Sequence, residues 1–134
     1  MINKYHCRIC KKFLSRNKFY KDNTTKSKLC NLCILCYKNY LKTPNSKYIE
    51  YKKGAKKRNK KFSLTKSEFL LFWKKPCYYC NEEIKTIGLD RVDNKKGYLL
   101  NNIVSCCKIC NILKKWHSIK QLERISMIFL KLKK

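Results

Sequence analysis

Four Cys-x-x-Cys pairs that fall into two groups, two helix-start signatures and two short apolar runs joined by a turn together predict a small α+β protein of two metal-stapled modules. The chain has 134 residues, of which 34 are Lys or Arg and 8 are Asp or Glu, for a formal charge of +26. A core at this length would bury roughly two-thirds of the unfolded surface. The apolar 44%, however, counts ten Cys and nine Tyr, and the aliphatic residues are scattered, so the core is thin. A compact body with this charge repels itself, which makes a polyanion its normal partner. Nucleic acid is the first candidate, while acidic substrates and a purely structural role are disfavoured. The bias to Lys, Asn, Tyr and Ile is also what A+T-rich codons produce, and this accounts for part of the charge.

No run approaches the roughly 18 apolar residues of a membrane span, and the opening MINKYHCRIC has no apolar stretch behind its charges. The sequence therefore predicts a soluble, unsecreted protein with no membrane partner. It would work in an intracellular reducing compartment: cytoplasm, organelle, or a phage- or virus-infected cell. There, clustered thiols bind metal rather than forming disulfides.

The pairs are Cys7/Cys10, Cys33/Cys36, Cys77/Cys80 and Cys107/Cys110, with 22 residues between Cys10 and Cys33 and 26 between Cys80 and Cys107. One tight turn aims two thiolates at a single ion, and two turns complete a tetrahedral site, so two structural Zn2+ ions are expected. Each contributes about 10–16 kcal/mol of apparent binding free energy to folding, which offsets the thin core. Cys30 is spaced like Cys33 and Cys36 and is an alternative ligand; the Cys33/Cys36 pair is preferred. His6 reads as exposed, since four Cys suffice. Residues 5–42, with Cys-x-x-Cys, the aromatic pair Phe19-Tyr20, a second Cys-x-x-Cys and a basic helix in order, resemble the small zinc ribbons at the front of phage-type nucleases. The expected division is a zinc ribbon over 1–42, a basic linker or helix over 43–63 and a second zinc domain over 64–134.

In that middle segment Lys53, Lys56, Lys57, Arg58, Lys60 and Lys61 are interrupted by nothing acidic. Such density reads as unable to pack, and as a phosphate-binding stretch whose affinity depends on salt. Thr65-x-x-Glu68 then opens a helix with Phe69, Leu70, Phe72 and Trp73, stopped by Pro76. Residues 87–92 form a short strand, Asn94–Gly97 a turn, Asn101–Val104 a second segment, and Cys107 starts a helix bearing Lys114 and Lys115. Ser118-x-x-Gln121 opens a last helix, whose Ile119, Leu122, Ile125, Ile128, Phe129 and Leu132 recur at helical spacing and would pack on the zinc module or on a partner.

The stretch Gly88-Leu89-Asp90-Arg91-Val92-Asp93-Asn94, Gly97-Tyr98, Asn102-Ile103-Val104 and Cys106-Cys107-x-x-Cys110-Asn111-x-x-Lys114 resembles the HNH endonucleases, the ββα-metal or His-Me finger family. The similarity is to the phage-type branch with a four-cysteine zinc site and a DRID-like motif, and spans about residues 64–118. It implies an N-terminal zinc ribbon followed by a ββα-metal finger flanked by helices, and hydrolysis of DNA phosphodiester bonds. It further implies that Asp90 ligates a catalytic divalent ion, that Asn111 helps hold the same ion, and that Asn102 orients the group following Asp90. Mg2+ or Mn2+ suits such oxygen donors, while Cys77, Cys80, Cys107 and Cys110 close a structural zinc site.

One position departs from the family. Many members carry a general-base His directly after the Asp, and here it is Arg91, which stays protonated at neutral pH. Its fork suits a phosphate clamp. The base is then Asp93, His117, a metal-bound hydroxide, or absent. Both side chains also have plain roles, Asp93 bracing the turn and His117 ending a helix. The alternative function is a catalytically inactive zinc protein that uses the same scaffold to bind DNA or structured RNA, as in a ribonucleoprotein.

Overall fold

The computed structural model describes residues 4–132; the side chains of Ile119, Phe129 and Leu130 also lie outside the described set. The chain divides between Lys47 and Tyr48 into two compact units.

In the first unit β1 (Lys4–His6) pairs antiparallel with β2 (Phe13–Ser15), and the turn between them carries Cys7 and Cys10. β3 (Phe19–Lys21) pairs antiparallel with β4 (Leu29–Cys33), its register broken once between Phe19 and Lys21. Their connection is an Asx turn in which Asp22 accepts from the Thr24 amide (3.0 Å) and hydroxyl (2.6 Å). α1 (Ile34–Tyr40) follows directly from β4. The buried cluster is Cys7, Phe19, Leu29 and Cys33, with Tyr5 and Leu14 packed beside it. Two of those four residues are cysteines, so the thin core anticipated from composition is real.

α2 (Pro44–Lys57) starts at Thr43, whose hydroxyl accepts from the Ser46 amide (3.3 Å). The unit boundary falls within it. The expectation that the basic stretch cannot pack is overturned on one face: Ala55 is fully buried. Tyr48 and Tyr51 meet the ring of Phe69 edge-on, with centroids 5.3 and 5.6 Å apart. The Tyr48 hydroxyl donates to the Leu64 carbonyl (3.0 Å), and the Tyr51 hydroxyl accepts from the Leu89 amide (3.0 Å). Aromatic rings with a polar tip fill a core while the lysines of the same helix stay in water. Most of 43–63 is thus the wall of the second unit rather than a spacer.

α3 (Lys66–Leu70) has the capping box its sequence predicts, with the Thr65 hydroxyl accepting from the Glu68 amide (3.2 Å) and the Glu68 carboxylate from the Thr65 amide (2.7 Å). Phe69 anchors the core with Ala55, Leu64, Ile87, Leu89, Tyr98 and Ile103, while Phe72 and Trp73 pack at its edge. β5 (Leu89–Arg91) pairs antiparallel with β6 (Ile103–Ser105), placing Asp90 opposite Val104. Two glycines permit close backbone approach. A Cβ on Gly88 would sit 2.0 Å from the Cys106 carbonyl oxygen, and one on Gly97 2.2 Å from that of Lys61.

α4 (Lys108–Trp116) completes a ββα unit, and α5 (Ile119–Leu132) follows with a Ser118/Gln121 capping box. Of the apolar stripe of α5, Ile119 and Phe129 lie outside the described side chains, Leu122 is half-buried, and Ile125, Ile128 and Leu132 are exposed.

Candidate functional site

The structure gathers Cys7, Cys10, Cys33 and Cys36 into one cluster and Cys77, Cys80, Cys107 and Cys110 into another, with the sulfurs of each within 4.8 Å of one another. A tetrahedral ion with sulfur bonds of about 2.3 Å sets sulfurs about 3.8 Å apart. Cys80 and Cys107 already stand at 3.7 Å. Cys30 and Cys106 lie outside both groups.

The two clusters share one local geometry. In each, the amide of the first cysteine donates to the carbonyl five residues on (Cys7 to Lys12, 3.0 Å; Cys77 to Glu82, 2.9 Å). The residue after the second cysteine turns into the left-handed region (Lys11, φ 60°; Asn81, φ 59°) and donates back to the first cysteine's carbonyl at 2.9 Å. The third cysteine, Cys33 or Cys107, then stands at the N-cap position of α1 or α4, and the Cys107 sulfur caps α4 by accepting from the Cys110 amide. Amides aim at sulfur in both groups: Cys33 to Cys7 at 3.3 Å, and Cys110 to Cys107 at 3.4 Å.

Electrostatics supports a dication. Burial raises the Cys7 and Cys77 thiols, but surrounding N–H donors outweigh it and bring both down to about 6. Burial and the neighbouring thiols push Cys36 up to about 12 and Cys110 upward as well. The first thiolate forms easily and the last strongly resists. A positive ion among the sulfurs removes that conflict, so both clusters fit Zn2+.

Asp90, in the middle of β5, is 5% exposed. Its Oδ2 accepts from the Tyr79 hydroxyl (2.8 Å) and from the Lys114 ammonium, which reaches it from α4. Lys114 also donates to the Tyr79 hydroxyl (2.8 Å) and lies 5.0 Å from its ring centroid. Burial and the adjacent carboxylate carry the Tyr79 hydroxyl up to about 12 despite the ammonium, so it acts as a donor at neutral pH. For Lys114 burial acts to lower the pKa, and its bonds to Asp90 and Tyr79 outweigh burial and raise it. Tyr79 escaped the sequence reading because the two residues inside a Cys-x-x-Cys turn carry no periodic signal. Lys114, read as a phosphate contact, has a side chain only 11% exposed and turned inward to Asp90. A cation thus already sits on this carboxylate.

Asn111 is exposed on α4, one turn before Lys114, and no hydrogen bond joins its side chain to Asp90 among the described residues. Asn102, 4% exposed, is a brace. Its Oδ1 accepts from the Asp93 amide (2.9 Å) and its Nδ2 donates to the carbonyls of Asp93 (3.1 Å) and Gly97 (2.9 Å), pinning the loop after β5. Arg91 spends one nitrogen on the carbonyls of Asn94 (2.9 Å) and Lys96 (2.8 Å) and lies 5.4 Å from the Tyr98 ring centroid. Asp93 accepts from the Lys95 amide (2.8 Å) within its own turn, and His117 caps the end of α4.

The outer face of α2 and the segment after it form an open groove of about 680 Å³ lined by Lys52, Lys53, Lys56, Lys60 and Lys61, with Ile49 and Phe62 among its walls. Lys57 and Lys115 are exposed outside it. Arg58 instead donates to the Tyr98 hydroxyl (3.0 Å), and Lys60 to the Lys95 carbonyl (3.1 Å).

The fold, with its paired four-cysteine clusters and a buried aspartate on a ββα unit, is HNH-like by structural comparison. The solved structure of the rare-cutting HNH restriction endonuclease PacI superposes with a TM-score of 0.52, covering 96% of this chain and 94% of that one at 21% identity. At that identity the likeness is one of fold. In sequence, 72 residues, 52% of this chain, are 40% identical to the uncharacterized protein R423 of Acanthamoeba polyphaga mimivirus. The matched region is 14% of that viral protein's length. No protein-family model matches the chain.

Proposed function

We propose that the chain is a divalent-metal-dependent HNH-type endonuclease that hydrolyses DNA phosphodiester bonds. The observation that carries this reading is Asp90: a buried carboxylate on the first strand of a ββα unit, beside a four-cysteine cluster. Asp90 and Asn111 would hold Mg2+ or Mn2+; when bound, the ion supplies Lewis-acid stabilisation of charge at the leaving oxygen. The protein's own groups do the rest. Tyr79 fixes the rotation of the Asp90 carboxylate by donating to Oδ2. Asn102 holds the 93–97 loop, so that Arg91 keeps its place with donors left over for a phosphate. The lysine groove and Lys115 supply grip that is independent of sequence.

Two structural Zn2+ ions would hold Cys7, Cys10, Cys33 and Cys36, and Cys77, Cys80, Cys107 and Cys110. Thiolate sites of that kind fit a reducing compartment inside a cell, such as one infected by a virus. No helix among the described residues is long and apolar enough to cross a membrane.

A second reading, a catalytically inactive nucleic-acid-binding scaffold, draws on one observation: an ammonium already neutralises Asp90. Plasmid nicking separates the two. Zinc-loaded protein with Mg2+ or Mn2+ is expected to nick supercoiled DNA, and Asp90→Asn and Asn111→Ala to slow nicking at least about 100-fold while still binding DNA. Wild-type protein that binds the plasmid and leaves it intact would overturn the enzyme in favour of the scaffold.

A further inference from the structure

We infer that Lys114 is a built-in competitor for the catalytic cation: in the free protein its ammonium holds Asp90, and a nucleic-acid phosphate draws it off, so that the divalent ion binds with the substrate rather than before it. The inference rests on the reading of Asp90 as the ion's ligand.

The geometry supplies the competition. Lys114 and Asp90 are 24 residues apart in sequence, yet their side chains are only 11% and 5% exposed and meet in an ion pair. The same ammonium bonds the Tyr79 hydroxyl and lies over its ring. Oδ2 therefore already carries two donors. A divalent ion at that oxygen would meet a fixed positive charge a few ångströms away, and in a buried setting such repulsion is barely screened. The two cations exclude one another.

The geometry also supplies the release. Lys114 stands on the last turn of α4, and its long unbranched stem can swing its charge without moving the helix. A phosphate is a strong partner for such a point charge. The neighbouring cation Lys115 is exposed, so a bound backbone brings phosphate to this end of the helix. Whatever removes Lys114 frees an anionic, Tyr79-oriented carboxylate for the ion. By linkage, if DNA raises the affinity for metal, metal raises the affinity for DNA by the same factor.

The test reads Mn2+ binding to zinc-loaded protein by the electron paramagnetic resonance of the free ion, with and without a short duplex carrying hydrolysis-resistant phosphorothioate linkages. Asp90→Asn protein with the same duplex supplies the background. Wild type is expected to bind Mn2+ at least about tenfold more tightly with the duplex than without it. Lys114→Met is expected to bind about tenfold more tightly than wild type without DNA, and to gain little when DNA is added. Zinc content and circular dichroism confirm that the variant is folded. If it is not, the wild-type comparison decides alone: equal Mn2+ affinity with and without duplex overturns the proposal. Unchanged or weaker Mn2+ binding by folded Lys114→Met overturns it as well, while loss of Mn2+ in Asp90→Asn would leave the ligand assignment standing. If Asp90→Asn in the Lys114→Met background binds Mn2+ undiminished, Asp90 is not the ligand and both readings fall.

Discussion

Asp90 and Lys114 form a pair whose stabilising role can be measured apart from any catalysis. With side chains 5% and 11% exposed, each depends on the other for its charge, and the Tyr79 hydroxyl stays beside whichever is left. Removing one member of a buried pair costs about 3–5 kcal/mol, because the survivor is an uncompensated charge. The residual exposure of Lys114 and the Tyr79 hydroxyl favour the lower end, about 3 kcal/mol. For a domain of this size each kcal/mol lowers Tm by about 4–8 °C, so Asp90→Ala and Lys114→Met should each lose about 12 °C or more. Replacing both, as Asp90→Leu with Lys114→Met, removes both charges and keeps the volume filled, and should return to within about 1 kcal/mol of wild type. The assay is thermal denaturation of zinc-loaded protein followed by circular dichroism at pH 7, arranged as a double-mutant cycle. Because the pKa of Lys114 is raised in the fold, the pair's stabilisation is complete at neutral pH, persists up to the unfolded lysine value, and fades as pH climbs through the raised one. Single variants that lose less than about 1 kcal/mol, or a double variant that loses the sum of the two, would refute the buried-pair argument.

The glycines should respond in opposite directions. Gly88→Ala drives a Cβ to 2.0 Å from the Cys106 carbonyl oxygen and should destabilise by about 1–3 kcal/mol or more, whereas Gly54→Ala, inside α2, meets only the movable Arg58 guanidinium at 3.2 Å and should stabilise by about 0.5–1 kcal/mol. Chemical denaturation of both variants checks the order, and a reversed order would sink it. Metal analysis should find two zinc ions per chain. Acidification should release zinc to a colorimetric chelator as protons compete with the ion for the sulfurs. Full retention at pH 4, or a stoichiometry of one, would count against the paired sites.

The parts of the fold written in short-range chemistry were legible in the sequence. Cys-x-x-Cys spacing located both clusters, and Thr65-x-x-Glu68 and Ser118-x-x-Gln121 form the capping boxes they predict. Signals that depend on distant partners were not legible. Lys114 reads as one more surface cation because nothing local marks a carboxylate 24 residues upstream as its neighbour. α2 reads as unpackable because its charge hides the spacing of Tyr48, Tyr51 and Ala55, the three residues that bury its inner face. The polar residues of the 90–102 stretch stand out by composition, yet only the three-dimensional bonds show Asn102 and Arg91 holding a loop.

Arg91 rests on two carbonyls and the Tyr98 ring, Arg58 on the Tyr98 hydroxyl, Lys60 on a carbonyl, and Lys115 over Trp116 at 4.9 Å. These cations are steadied by neutral dipoles and π-faces rather than by carboxylates. Each therefore arrives at a polyanion with its charge uncancelled. Among the described residues, none of these four cations has an ion pair to give up before a phosphate is engaged.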